Sequence, residues 1–293
     1  GVAHFSVPDE EALFQHIRWL LSYLPSNNMT PPPYTQPTDD PNRSVSELKK
    51  IVPEDNQLAY DVKIVIKTLA DSEEFLEVQP DFARNIVIGF ARLDGFPIGF
   101  VANQPEYLAG VLDINASDKA ARFIRFCDAF HIPLVTLVDT PGFLPGTEQE
   151  HEGIIRHGAK MIYAYAEATV PKVSIILRKA YGGAYIVMSS KHLRSDYNLA
   201  WPKAEIAVMG PDGAVRIMFR KEISEAQDKD SIISDYVSQY REELANPFLA
   251  ASRGYLDDVI DPEESRKRLI QVLTSLHDKR QDSPHRKHGN IPL

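Results

Sequence analysis

"IPLVTLVDTPGFLPGTEQEHEGIIRHGAKMIYAYAEATVPKVSIILRKAYGGAYIVMSS", residues 132–190, decides the fold. Two apolar, β-branched runs, 132–139 and 171–177, read as buried strands, and each hands over to a turn rich in small residues. Between them 151–168 carries helical periodicity. Strand, helix, strand, helix at this spacing calls for crossover connections and a layered α/β domain.

The first turn places Pro141, Gly142, Pro145 and Gly146 around Phe143 and Leu144. Either it is a rigid surface turn, or it fixes Phe143 and Leu144 at the strand's C-terminal end, where α/β sheets place ligands. The second turn is Gly182-Gly183-Ala184, followed by Tyr185 and Ile186. Small residues suit tight packing of helix on strand. They also let a ligand approach the backbone N–H groups of a helix N-terminus, which favour negative charge. Arg178 and Lys179 precede the glycines, as a solvated strand end or as a grip on a substrate carboxylate or phosphate.

Asp139-Thr140-Pro141-Gly142 matches the metal-side motif of small GTPases, but the chain has no G-x-x-x-x-G-K-[ST] loop and no Asn-Lys-x-Asp. Ser189-Ser190 lacks the G-x-S-x-G setting of a nucleophile elbow. His151 and His157 read as partly solvated helix residues without a metal pattern, so no metal site is expected.

Outward from this centre, "NIVIGFARLDGFPIGFVAN" (85–103) is two β-rich runs around an Asp94-Gly95 turn. "NASDKAARFIRFCDAFH" (115–131) is helical, with Ser117 and Asp118 as capping candidates and Cys127 as a buried thiol. A helix is expected in 59–70, a short strand at 204–210 before a helix near Pro211, and helices in 231–245 and 261–280. At the N-terminus, 7–25 is an amphipathic helix with Leu13, Ile17, Leu20, Leu21 and Leu24 on one face, in need of a partner. Residues 25–44 hold six prolines among Asn, Asp, Ser and Thr, the composition of a linker. The expected division is therefore 1–26, a linker at 27–45 and a domain at 46–293.

A net charge of −9 argues against a nucleic-acid surface spread over the chain. One cysteine rules out an intrachain disulfide and a Cys-based zinc site. No apolar run approaches the ~20 residues of a membrane span, and the N-terminus is no signal peptide, so an intracellular, reducing setting is expected.

Residues 103–192, with "NLAWPKAEIAVMGPDGAV" (198–215) and "RKHGNIPL" (286–293), resemble the C-terminal half of the biotin-dependent carboxyltransferases. These are the acyl-CoA carboxylase β subunits, propionyl-CoA carboxylase β most closely, with related methylmalonyl-CoA carboxyltransferases and decarboxylase subunits. The resemblance implies a crotonase-like (ClpP/crotonase) α/β fold of repeated ββα units. It implies a site shared between the N-half of one subunit and the C-half of another, hence a homo-oligomer built on carboxyltransferase dimer faces. By position, the backbone N–H groups of Gly183 and Ala184 are the donors to the ureido oxygen of carboxybiotin. Gly182, Tyr185, Ile186, Gly142, Phe143 and Leu144 then line the substrate side. Biotin arrives on another chain or domain, since the chain has no Met-Lys-Met, and acyl-CoA is the substrate. Biotin carboxyl carrier and biotin carboxylase subunits are the implied partners. The cytoplasm, or the mitochondrial matrix in a eukaryote, is the implied compartment. Residues 1–26 resemble the last helix of the N-half, whose acyl-CoA-binding part is expected to be missing, leaving a half-site with little transfer of its own. Propionyl carboxylases commonly carry Asp where this chain has Ile186, which opens the acyl preference toward acetyl-type, broader or decarboxylase members.

Overall fold

The computed structural model describes residues 1–282 and 284–293. Among the described residues the strands form one sheet in the order β1-β2-β3-β4-β5-β6-β8. Strands β1 (Leu76–Val78), β2 (Ile86–Leu93) and β3 (Phe96–Asn103) are antiparallel neighbours. From β3 onward the sheet is parallel, through β4 (Leu134–Thr140), β5 (Lys172–Tyr181), β6 (Tyr197–Ala200) and β8 (Asp258–Val259). Strand β7 (Glu205–Ala207) pairs with the last three residues of β5.

Every residue of β4 and β5 is buried, as a parallel strand covered on both faces must be. The covering helices come from both ends of the chain. On one face lie α4 (Ile114–Ala129), α6 (Ile154–Glu167) and α7 (Gly182–Val187), packed on Ile88, Phe90, Leu134, Val138 and Ile176. The N-terminal helix α1 (Glu10–Tyr23) joins this face. The other face holds α2 (Leu48–Ile51), α3 (Val62–Leu69) and, from the C-terminus, α12 (Ser265–Ser275), on Phe100, Val135, Leu137, Val173 and Ile175. A short α5 (Thr147–His151) precedes α6, and α11 (Pro247–Ser252) precedes β8. Helices α8 (Pro211–Met218), α9 (Arg220–Glu225) and α10 (Lys229–Glu243) form a separate cap around Val215, Ile233 and Val237.

The expected hairpin is present, with φ of +50° at Asp94 and +79° at Gly95, the left-handed pair that a two-residue turn demands. Its N–H groups are met by Asp71, at 3.1 Å from Asp94 and 2.7 Å from Gly95. Asp71 in turn takes Arg266 of α12 at 2.7 Å, and that arginine is fully buried. One carboxylate thus fastens the hairpin to the C-terminal helix.

Two expectations are corrected. Helix α4 starts earlier than its candidate caps. Asp113 is the N-cap and accepts from the Ala116 N–H at 2.8 Å, while Ser117 and Asp118 lie inside the first turns. On α1 the buried line runs through Tyr23, Trp19, Leu20 and Leu24, with Tyr23 stacked on Phe90 at 5.6 Å. Leu13, Ile17 and Leu21 stay 40–58% exposed.

The proline-rich stretch has no helix or strand and lies along the hairpin. Tyr34 packs on Phe96 at 4.9 Å, Arg43 donates to the carbonyls of Thr68 and Ala70 at 2.9 Å each, and Val45 is fully buried.

Lys119 of α4 is almost fully buried, and its ammonium donates to the carbonyls of Gln79, Phe82, Ala83 and Ile86 at 2.7–3.3 Å. These close the loop before β2, which passes through left-handed conformations at Gln79 and Ala83. Lys119→Met leaves those carbonyls without their donor and should destabilise the fold by about 2–4 kcal/mol, read as a lowered urea midpoint.

Candidate functional site

The two small-residue turns meet at the C-terminal ends of neighbouring strands. Register brings Thr140 of β4 beside Ala180 of β5, so Pro141–Gly146 emerges next to Tyr181–Gly183. The first turn is pinned from outside. The Leu112 N–H donates to the Gly142 carbonyl at 3.0 Å, and the Leu144 N–H donates to the Leu112 carbonyl at 2.8 Å. Between these bonds Phe143 pairs with Leu112 as a short parallel bridge. The Phe143 ring rests against two glycines. A Cβ on Gly158 of α6 would stand 2.9 Å from it, and a Cβ on Gly183 would stand 3.8 Å away. Phe143 therefore joins both turns to α6.

Tyr181 ends β5 in extended conformation, and Gly182 then turns at φ +56° with the Val208 carbonyl 3.0 Å from where its Cβ would be. A side chain there would meet both strain and backbone. Gly183 is exposed and Ala184 fully buried. As first-turn residues of α7, both have N–H groups without an intrahelical acceptor. Tyr185 is buried, its ring edge on His192 at 6.2 Å, and its hydroxyl has no hydrogen-bond partner. Ile186 is half-buried against the core and accepts the Ser190 hydroxyl at 2.8 Å through its carbonyl. Gly142, Phe143 and Leu144 are half-buried. All eight expected site residues thus sit on these two adjoining turns and the short helix after them.

Arg178 and Lys179 are not a solvated strand end. Both are buried, because β5 continues through them to Tyr181 between covered faces. Arg178 donates from Nε to Asp139 at 3.0 Å and from Nη1 to the Asp55 and Leu58 carbonyls at 2.8 Å each, with its guanidinium over the Tyr60 ring. Lys179 donates to the Asn56 carbonyl at 3.1 Å, and burial lowers its pKa against the pull of Asp139. Asp139 also accepts from the Tyr60 hydroxyl at 3.0 Å and the Lys179 N–H at 3.2 Å. The carboxylate of the GTPase-like tetrapeptide is therefore committed to an internal ion pair. No cluster of three or more His, Cys, Asp or Glu fit for a metal occurs among the described residues. Ser189 and Ser190 are buried and bonded internally. His157 is only 15% exposed at its side chain and pairs with Asp118 at 2.9 Å, while His151 is exposed.

The sequence reading passed over Glu205, Arg241 and Asn56. With Arg178, Lys179, Tyr181, Pro141 and the start of α8, Asn56 and Arg241 line a cavity of about 250 Å³ beside the turns. The one local signal was Glu205, a charge in the short strand β7; Asn56 lies in a turn and Arg241 on α10, far from it in sequence. What the arrangement offers a reactant is backbone N–H groups at a mouth walled by Phe143, without an exposed nucleophile.

The chain matches the carboxyl transferase domain family over residues 1–291. It is 58% identical over 293 residues to a propionyl-CoA carboxylase carboxyltransferase subunit of Haloferax mediterranei, covering all of this chain and 57% of the relative. It is 53% identical to the methylmalonyl-CoA decarboxylase subunit alpha of Veillonella parvula, covering all of this chain and 56% of the relative. The structure of transcarboxylase 12S, a hexamer with methylmalonyl-coenzyme A and methylmalonic acid bound, superimposes with a TM-score of 0.94 at 50% identity, over 99% of this chain and 56% of that one. The chain thus spans little more than half the length of these relatives.

Burial raises the pKa of Tyr60, Tyr165 and Tyr181, and pushes Tyr185 up to about 12. The unfolded chain sheds these protons first, at its ordinary value near 10, so their contribution to stability is whole below pH 10 and is lost as pH rises through the folded values. In an alkaline titration followed by phenolate absorbance, the signal should stay below that of twelve tyrosines until a cooperative unfolding step releases the rest.

Proposed function

The chain belongs to the carboxyl transferase domain family and has its crotonase-like fold, and we propose that it forms the carboxybiotin half of a biotin-dependent carboxyltransferase site. The observation that carries this reading is the Gly182–Gly183 turn, where Gly183 is exposed and the first-turn amides of α7 have no intrahelical acceptor. They fit an approaching ureido oxygen: a Cβ on Gly183 would find nothing nearer than the Phe143 ring at 3.8 Å. Carboxybiotin, delivered on another chain or domain, supplies the carboxyl group for the α-carbon of a short-chain acyl-CoA of propionyl or acetyl type.

The chain's own part is electrostatic. The amides of Gly183 and Ala184 are held on a short helix whose first residue fixes the turn, so they meet developing negative charge without reorganising. Phe143 and Leu144 wall the mouth and keep water from competing for those donors. No side chain of this half need exchange a proton. The other half of the site, the acyl-CoA-binding part, belongs to the N-terminal half implied by the family, of which residues 1–26 form the last helix, joined by the stretch 27–45.

A second reading has equal support from the relatives. Carboxylases, methylmalonyl-CoA decarboxylases and transcarboxylases share this half-reaction, and identities of 58% and 53% do not separate them. Ile186, apolar and half-buried next to the donors, is where acyl choice enters. Biotin carrier and biotin carboxylase subunits, and a second copy of the carboxyltransferase, are the partners of this reading, in an intracellular setting where Cys127 stays a buried thiol.

Gly183→Val in the complete carboxyltransferase should lower kcat by about 10²–10³-fold, the effect of blocking an oxyanion donor, with the fold retained because a Cβ there stands in ordinary contact, 3.8 Å from the Phe143 ring. Wild-type rates in that variant would overturn the proposal. Ile186→Asp should change the ratio of kcat/KM among acetyl-, propionyl- and butyryl-CoA. A common loss of fold cancels in that ratio, so equal ratios exclude Ile186 from acyl choice.

A further inference from the structure

Glu205 begins β7, is 8% exposed and lies beside Lys179 in the sheet register. Its two oxygens face different elements. Oε2 accepts the hydroxyl of Tyr181. Oε1 accepts Nε of Arg241 on α10 at 3.0 Å and Nδ2 of Asn56 at 2.5 Å. Burial keeps a carboxylate in such a place only if each oxygen is answered, and here each is.

Tyr181 is the residue before the glycine turn. Its ring packs under Gly210, where a Cβ would stand 3.1 Å from it, and the Val208 carbonyl closes on Gly182. The two surfaces bounding the turn, Tyr181 and the loop 208–210, are therefore set by β7, which Glu205 opens. The far end of the cap is tied to the same strand, since the Ile206 N–H donates to the Ala245 carbonyl at 3.0 Å, two residues beyond α10. Arg241 has 44% of its side chain exposed, so the cap grips Glu205 from the solvent side.

We infer that Glu205 is the positioning residue of the Gly182–Gly183 turn: it holds Tyr181 with one oxygen and Arg241 with the other, so the direction of the Gly183 and Ala184 amides follows the seating of α10. This rests on the proposed role of those amides as donors in carboxyl transfer. Tyr181 and Arg241 then act on the turn through one shared carboxylate, and their effects are coupled, not additive.

The test uses the chain labelled with ¹⁵N-glycine and the variants Tyr181→Phe, Arg241→Met and their double. Arg241→Met, which removes a side chain with no glycine of the turn among its hydrogen-bond partners, should shift the amide signals of Gly182 and Gly183 in the direction that Tyr181→Phe shifts them. Gly89 and Gly99, in β2 and β3, should stay in place. The double variant should shift the turn no further than the larger single. In the complete carboxyltransferase each single variant should lower kcat about tenfold with KM for acyl-CoA unchanged, the mark of misplaced donors and not of lost substrate binding. Unmoved Gly182 and Gly183 signals in Arg241→Met, or singles that add, would overturn the inference. Absence of biotin-dependent transfer by the unmutated enzyme would overturn the functional reading instead, because the glycine shifts report the coupling without any reaction.

Discussion

The buried pair of Asp139 and Arg178 is the contact on which the rest of the site depends. A carboxylate that is 1% exposed must be answered by charge and by hydrogen-bond donors, and Asp139 has Arg178 Nε, the Tyr60 hydroxyl and a backbone N–H. Asp139 is near the end of β4 and Arg178 near the end of β5, so the pair locks two neighbouring strands together just before both turn. Nη1 of Arg178 holds the carbonyls of Pro53, Asp55 and Leu58, a segment far away in sequence. The pair thus adds a side-chain tie to the strand register from which both glycine-rich turns start.

The site that results is made mostly of what side chains leave open. Phe143 occupies the space two glycines vacate, and Gly182 accepts a backbone path that a larger residue would strain. Several polar side chains nearby are spent on one another: Tyr181 with Glu205, and Glu205 with Arg241 and Asn56. Chemistry by backbone amides suits such a frame, since rigidity is what lets a fixed dipole outdo water.

The parts of the fold legible in the sequence were those written in local pattern. The runs 132–139 and 171–177 had no alternation, which meant strands covered on both faces, and Asp94-Gly95 specified its hairpin. The glycine turns were legible for the same reason, because their residue types are tolerated in few other settings. Long-range contacts were not. Arg178 reads as a strand terminus until Asp139, thirty-nine residues earlier, is seen to need it. Lys119 looks like an ordinary helix charge, and nothing near it in sequence announces four carbonyls. Glu205 bonds to residues 24 and 36 positions away, so no window of local sequence contains its role. The seating of α1 was only partly legible, since Leu20 and Leu24 of the five-residue stripe reach the core beside Trp19 and Tyr23 while Leu13, Ile17 and Leu21 stay exposed.

An amide N–H neither gains nor loses a proton anywhere in the range where proteins stay folded. The backbone N–H groups of Gly183 and Ala184 therefore keep one charge state, and the buried phenols beside them stay protonated well past neutrality. The turn itself is deaf to acidity. Any response to pH across the neutral range at this edge of the sheet has to come from groups outside the turn.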